Sequence, residues 1–243
     1  MLARNISLVI LALSLSISHL HAEQSLTLGA KLLGAGWNGD NGTGGSEFES
    51  DKGGQFGVNI SYKIGRFYTG LNLQRGKYEF TGNAPDKFIQ PNFFVPDGRL
   101  SSSNVTIQQS DFDLLAGYYF WDHVSLFIDV KAVTNDWLDE SYSQTFVGLG
   151  LGISGYIPLN NRWTLFGSFG FIGSGDIKDN NDNKVGEGKS WALEAGTVYT
   201  INERHFINGG LKTRKYDFED LNSIKQSYNI NALFIGYNYS FSL

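Results

Sequence analysis

Residues 55–64 read QFGVNISYKI. Phe56, Val58, Ile60, Tyr62 and Ile64 share one parity, and Gln55, Gly57, Asn59, Ser61 and Lys63 share the other. A period of two held over this length marks a β-strand with two unlike faces, because a helix repeats at 3.6. The same stripe recurs in both directions along the chain. Upstream it is Leu26, Leu28, Ala30, Leu32. Downstream it is Phe67, Thr69, Leu71, Leu73, then Phe112, Leu114, Ala116, Tyr118, Phe120, then Val124, Leu126, Ile128, Val130. Val147, Leu149, Leu151, Ile153 follow, then Trp163, Leu165, Phe169, Phe171, then Trp191, Leu193, Ala195, Thr197, Tyr199, Ile201. A weaker stripe, Ile207, Gly209, Leu211, Thr213, precedes the last, which runs from Leu233 to Leu243.

These stripes predict ten strands and no helix. Eight strands would require 67–80 and 205–217 to be loop hairpins. The connections fall into two lengths that alternate strictly. Short ones lie at Gly65-Arg66, Trp121 to His123, Pro158 to Arg162 and Asn202 to Arg204. Longer polar ones are expected at 37–54, 81–106, 135–144, 174–189 and 218–226. In an up-and-down meander this places the short turns on one rim and the long loops on the other.

Composition agrees. The chain of 243 residues has 30 Gly, 18 Phe, 12 Tyr and only 18% charged residues. The lack of Cys excludes disulfides, a thiol nucleophile and a Cys-ligated metal. A net charge of −5 without a basic domain argues against nucleic acid as a partner. Mean hydropathy is −0.20, too low for a helical membrane protein. Residues 1–22 combine Arg4, the apolar run from Leu8 to Ile17 and a small residue at Ala22, the pattern of a secretory signal peptide. The domain is then expected at 23–243.

Alternation alone does not say which face is inside. A lipocalin-like soluble barrel hides its apolar face, and a membrane barrel turns it to lipid. Glycines 57, 70, 117, 148, 150, 152, 196, 210 and 236 share the polar face, where close approach inside a narrow barrel would require them. Aromatic residues gather near strand ends, as interfacial girdles do. Residues 236–243, GYNYSFSL, alternate to the last residue and resemble the C-terminal assembly strand of bacterial outer-membrane β-barrel proteins. The family pattern usually ends in Phe, and here Phe241 stands two residues before Leu243.

The resemblance implies an all-β, up-and-down transmembrane barrel of the bacterial outer membrane, with long loops extracellular and termini periplasmic. It implies outer-membrane lipids and the barrel-assembly machinery as partners of a monomer. The lumen would then carry Lys31, Lys63, Asp111, Asp113, Asp129, Lys131, Glu194, Lys212 and Arg214. Mixed signs in a confined space are expected to pair, since an unpaired buried charge is costly. A sign-selective pore would need a ring of one charge.

Catalytic motifs are sparse, and no cofactor or metal motif stands out. His123-Val124-Ser125 resembles the His-x-Ser spacing of outer-membrane lipid A deacylases, but Ser125 is expected to face the lumen near the short-turn rim. Surface proteases of the omptin family also have ten strands, with acidic pairs and a His at the outer rim. Asp111, Asp113, Asp136 and Asp139 supply carboxylates here, and no His lies near that rim in sequence. Asp179-Asn-Asn-Asp-Asn183 resembles half a calcium loop without its Gly and distal Glu. The 81–106 loop bunches Phe88, Ile89, Phe93, Phe94 and Val95; it is expected to fold over the mouth, enter the outer leaflet, meet a partner or pack on itself. The expected function is non-enzymatic: structural, a narrow porin-like channel, or surface binding through loops. An enzyme acting on lipid or peptide and a soluble periplasmic binder are the alternatives.

Overall fold

The computed structural model describes residues 24–42, 45–89 and 104–243. The leader expected at 1–22 and the loop centre with Phe93, Phe94 and Val95 lie outside the described residues. The chain forms a closed antiparallel barrel. Its wall consists of β1 (Gln24–Asp40), β3 (Lys52–Ile64), β4 (Phe67–Thr81), β5 (Asn104–Trp121), β6 (Val124–Trp137), β7 (Tyr142–Pro158), β8 (Trp163–Asp179), β9 (Lys184–Thr200), β10 (His205–Asp220) and β11 (Lys225–Ser242). Each strand pairs with the next, and β11 closes on β1 from Ser25↔Ser242 to Asp40↔Ser227. The ten predicted strands are all present. One short strand, β2 (Glu47–Glu49), adds to β1 outside the barrel wall.

Connections at the short-turn end are tight, as the sequence implies. Gly65 takes a left-handed φ of 55° in the two-residue turn between β3 and β4, a conformation that glycine adopts without steric cost. The other end differs from expectation. Residues 135–144, 174–189 and 218–226 are mostly strand, joined by four-residue turns. In two of them an Asp closes the turn. Asp179 Oδ1 accepts from the amides of Asn181 and Asn183, both at 2.9 Å, and Asp220 Oδ1 from those of Asn222 and Ile224, both at 2.8 Å. The candidate half calcium loop is therefore a capped turn.

The wall strands run to 13–18 residues, longer than the ~9–11 that cross a bilayer. The surplus lies at the end opposite the short turns. There the faces exchange character. On β10, Leu211 points out at 66% exposure, followed on the same face by Thr213, Lys215, Asp217 and Glu219. Inward, Lys212 and Arg214 give way to buried Tyr216 and Phe218. On β6 the outward face runs Leu126, Ile128, Val130, Ala132, Thr134, Asp136, while Val133 and Trp137 are buried inside. The barrel is thus apolar-out over its short-turn half and apolar-in over its extended half.

Candidate functional site

The inward-facing side chains form stacked tiers. In the short-turn half they are mostly polar or small, with Leu115, Phe127 and Phe166 among them. Ser125 Oγ lies 2.9 Å from Tyr68 Oη and 2.7 Å from Ser154 Oγ. Asn59, Asn238 and Asn208 form an amide ladder, and Gly29 and Gly236 leave room for it: a Cβ at Gly29 would lie 2.1 Å from Asn238 Oδ1, and one at Gly236 2.5 Å from Asn208 Oδ1. Lys63 stands at this rim, exposed, with Nζ 5.4 Å from the centroid of the Tyr119 ring. His123 and His205 also lie at this end, against Tyr156 and Tyr239.

The middle tier holds the charges. Lys31 and Lys212 share Glu194 Oε2 at 3.6 and 3.5 Å. Across the lumen, Lys131 donates to Asp113 Oδ2 at 2.9 Å, with Asp129 beside them on β6. These groups line a cavity of about 280 Å³ together with Asn72, Ser168 and Ser190 and the apolar Leu115, Phe127, Phe166 and Ile172. That volume suits a cluster of waters, each taking ≈ 30 Å³ in the liquid.

Above the cavity a polar layer crosses the barrel. Arg214 of β10 reaches to β5, where its guanidinium pairs with Asp111; both side chains are almost fully buried. Arg214 Nη2 also donates to Gln55 Oε1 at 3.0 Å. Gln55 Nε2 donates to Gln109 Oε1 and Gln109 Nε2 to Asn135 Oδ1, each at 3.0 Å. A buried ion pair is favourable only when its remaining donors and acceptors are met. The glutamines engage Arg214 Nη2, while Arg214 Nε and Asp111 Oδ1 have no hydrogen-bond partner among the described residues.

The next tier is aromatic. Trp37, Tyr78, Tyr216, Phe218, Tyr228 and Phe146 are buried and meet edge to face or tilted, except for Tyr216 and Tyr228, which stack. Ring centroids lie 5.2 Å apart for Trp37–Tyr78, 5.0 Å for Trp37–Tyr228 and 5.2 Å for Phe146–Phe218. Each such pair adds about 0.5–1.5 kcal/mol beyond burial. The described start of the 81–106 loop closes the stack. Its Phe88 is buried against Phe218, its amide donates to Gln144 Oε1 at 3.1 Å, and Tyr142 Oη donates to its carbonyl. Gln226 Nε2 donates to the Asp86 carbonyl at 3.2 Å, and Lys87 pairs with Glu140. Of the placements open to this loop, folding over the mouth is the one its described part adopts.

Of the nine charges assigned to the lumen, the structure therefore brings Lys31, Asp111, Asp113, Asp129, Lys131, Glu194, Lys212 and Arg214 into two adjacent tiers. Lys63 stands apart at the rim. The plug residues Gln55, Gln109, Trp37, Tyr216 and Tyr228 were not among the candidates. Their signal was an apolar or amide side chain on the polar parity, confined to strand segments far from the short turns. Asp136 accepts from Gln108 Nε2 at 3.4 Å and Asp139 from the Thr106 amide at 3.3 Å, so the rim carboxylates serve the wall rather than a histidine.

No protein-family model and no curated protein matches the sequence. Solved structures do resemble it. The outer-membrane protease OmpT of Escherichia coli shares 10% identity over 93% of this chain and 99% of its own, with a TM-score of 0.56. The translocator domain of the autotransporter NalP from Neisseria meningitidis shares 12% identity over 99% and 95%, with a TM-score of 0.45. Neisserial surface protein A shares 10% over 89% and 97%, with a TM-score of 0.39. At these identities the likeness concerns architecture, and only the overlay on OmpT is close enough to support it. The closed, apolar-out wall and that overlay together give this chain the fold of the bacterial outer-membrane β-barrels.

Proposed function

We propose that this chain is an integral outer-membrane protein that does not conduct. Its extended half projects outward as a sealed, rigid platform, and the termini lie on the periplasmic side. The observation that carries the reading is the stack of two buried tiers across the barrel: the Arg214–Asp111 layer, and the aromatic layer around Trp37, with Phe88 over it. A conducting lumen needs a continuous polar path. The aromatic tier interrupts any such path at the extended end. The polar, charged outward face of that half supports exposure to water, and the Gly-Tyr-Asn-Tyr-Ser-Phe run of β11 supports delivery by the barrel-assembly machinery.

The test is conductance of the purified, heat-modifiable protein in planar bilayers. Insertion without steady current steps is expected. Stable ohmic steps would return the protein to the narrow-channel reading.

A further inference from the structure

The outward face changes from apolar to polar along a row of register partners that marks the upper edge of the lipid-facing band. On three neighbouring strands this row is Phe56, Arg75 and Ser110. The row beneath is Val58, Leu73 and Phe112. The row above is Gly54, Lys77 and Gln108. Arg75 and Lys77 therefore sit two residues apart on one exposed face of β4, about 6.6 Å from row to row.

Nearly all the other cations on the outward face of this half stand against an anion. Lys215 pairs with Asp217, Lys225 with Glu219, Lys184 with Asp176 and Glu187, and Lys178 with Asp182. Lys189, without an ion pair among the described residues, stands in register with Asp217. Among the described residues, Arg75 and Lys77 have no carboxylate partner. The two acids nearest in register are already engaged, Glu79 by Lys52 at 3.8 Å and Asp136 by Gln108. Gly54 leaves the flank of Lys77 open, since a Cβ there would meet only the Leu33 carbonyl at 3.4 Å. Below the two cations, Phe56, Val58, Leu73 and Phe112 frame an apolar notch that Arg75 and Ser110 border from above.

We propose that Arg75 and Lys77 bind the phosphate-bearing headgroup of a membrane lipid, with one acyl chain in the notch beneath. A guanidinium and an ammonium with free donors complement a phosphate, and Ser110 supplies a further hydroxyl donor. The notch distinguishes a lipid from a free anion, because its apolar floor has nothing to offer inorganic phosphate. The site rests on the membrane boundary assumed in the proposed function.

The experiment uses the folded protein in neutral detergent, titrated with short-chain phosphatidic acid, phosphatidylcholine of equal chain length, or inorganic phosphate. Phosphatidic acid should bind most tightly. The R75Q/K77Q variant should bind it roughly thirtyfold more weakly, following about 1 kcal/mol for each cation near a charged membrane surface. The K178Q/K184Q variant removes as much charge elsewhere and should bind within threefold of the parent. Equal binding by R75Q/K77Q and the parent overturns the proposal, as does inorganic phosphate binding as tightly as the lipid. Should R75Q/K77Q fail to fold, the unaltered protein decides: no preference for phosphatidic acid over phosphatidylcholine overturns the site. Flotation with phosphatidylcholine vesicles separates the two levels. A protein that inserts without headgroup preference loses this site alone, and one that floats with no vesicle loses the membrane reading and the site together.

Discussion

Leu211 and Tyr216 stand on the same strand five residues apart, yet Leu211 faces out at 66% exposure and Tyr216 faces in at 1%. Their strand crosses from a half that is apolar outside to a half that is apolar inside. In the short-turn half the hydrophobic stripes face outward, and the interior holds hydroxyls, amides and small residues with Leu115, Phe127 and Phe166 among them. In the extended half the interior is a soluble-type core of Trp37, Tyr78, Phe146, Phe218 and Tyr228. One backbone wall serves both, because strand hydrogen bonds are indifferent to which face is apolar. The contrast teaches that the two halves should be stabilised by different forces, and substitutions can test that.

The largest effect is expected where the halves meet. Asp111→Leu leaves the Arg214 guanidinium buried with only glutamine partners. Removing one member of a buried pair costs about 3–5 kcal/mol. Guanidinium unfolding of folded protein in detergent should show this loss, while Asp111→Leu combined with Arg214→Met should recover most of it. A double variant no better than the single one would mean that the layer is not held by this pair.

Next comes the aromatic tier. Trp37→Ala should cost about 3–5 kcal/mol by cavity formation in a close-packed core. It should also raise leakage in planar bilayers, since Trp37 spans the mouth with Tyr78 and Tyr228. Unchanged stability would mean that the extended half behaves as loose loops rather than as a core.

The third substitution reads the outward faces against each other. Leu151 pairs with Ile128 at the middle of the lipid-facing band, and Thr145 lies on the same face of β7 in the extended half. Leu151→Arg should cost about 2–4 kcal/mol, as charges at the bilayer midplane do, and Thr145→Arg about 0–1 kcal/mol. Equal costs would erase the proposed boundary.

The strand count, the meander and the outward stripes could be read from the sequence, because each strand's lipid-facing parity is apolar over several residues. The extended half could not be read this way. On β10 the apolar parity runs through Ile207 and Leu211, then jumps by an odd step to Tyr216 and Phe218. A stripe followed on one parity stops at that step, so strand continuing beyond it looks like a polar loop. The same switch hid β6 beyond Val133. On β8 and β9, Ile177 and Val185 keep the outward parity in sequence yet are buried, because the register shifts between Ile172 and Gly175 and again between Ile177 and Lys178. The charges of the middle tier stood out because Lys and Asp on a strand's polar face have few other places to go. The pairing between Arg214 and Asp111 did not, because β10 and β5 are not neighbours in the wall and no local pattern relates them. Gln55 and Gln109 were invisible for a similar reason. Amides on the polar parity look alike whether they meet water or a guanidinium.

The smallest effect belongs to the short-turn interior, and it completes the contrast. Ser154 Oγ lies 2.7 Å from Ser125 Oγ, which is also 2.9 Å from Tyr68 Oη. Ser154→Ala removes one neutral hydrogen bond and leaves Ser125 its second partner. Such a bond contributes about 0.5–1.5 kcal/mol net. The loss should fall at the low end, because Ser154 borders the cavity, where water can take over. Unfolding in detergent at equal denaturant should therefore shift several times less than for Trp37→Ala. A loss as large as that of Trp37→Ala would mean that the short-turn half depends on its interior as strongly as the extended half does. Lipid contact on the outside would then not be what holds it.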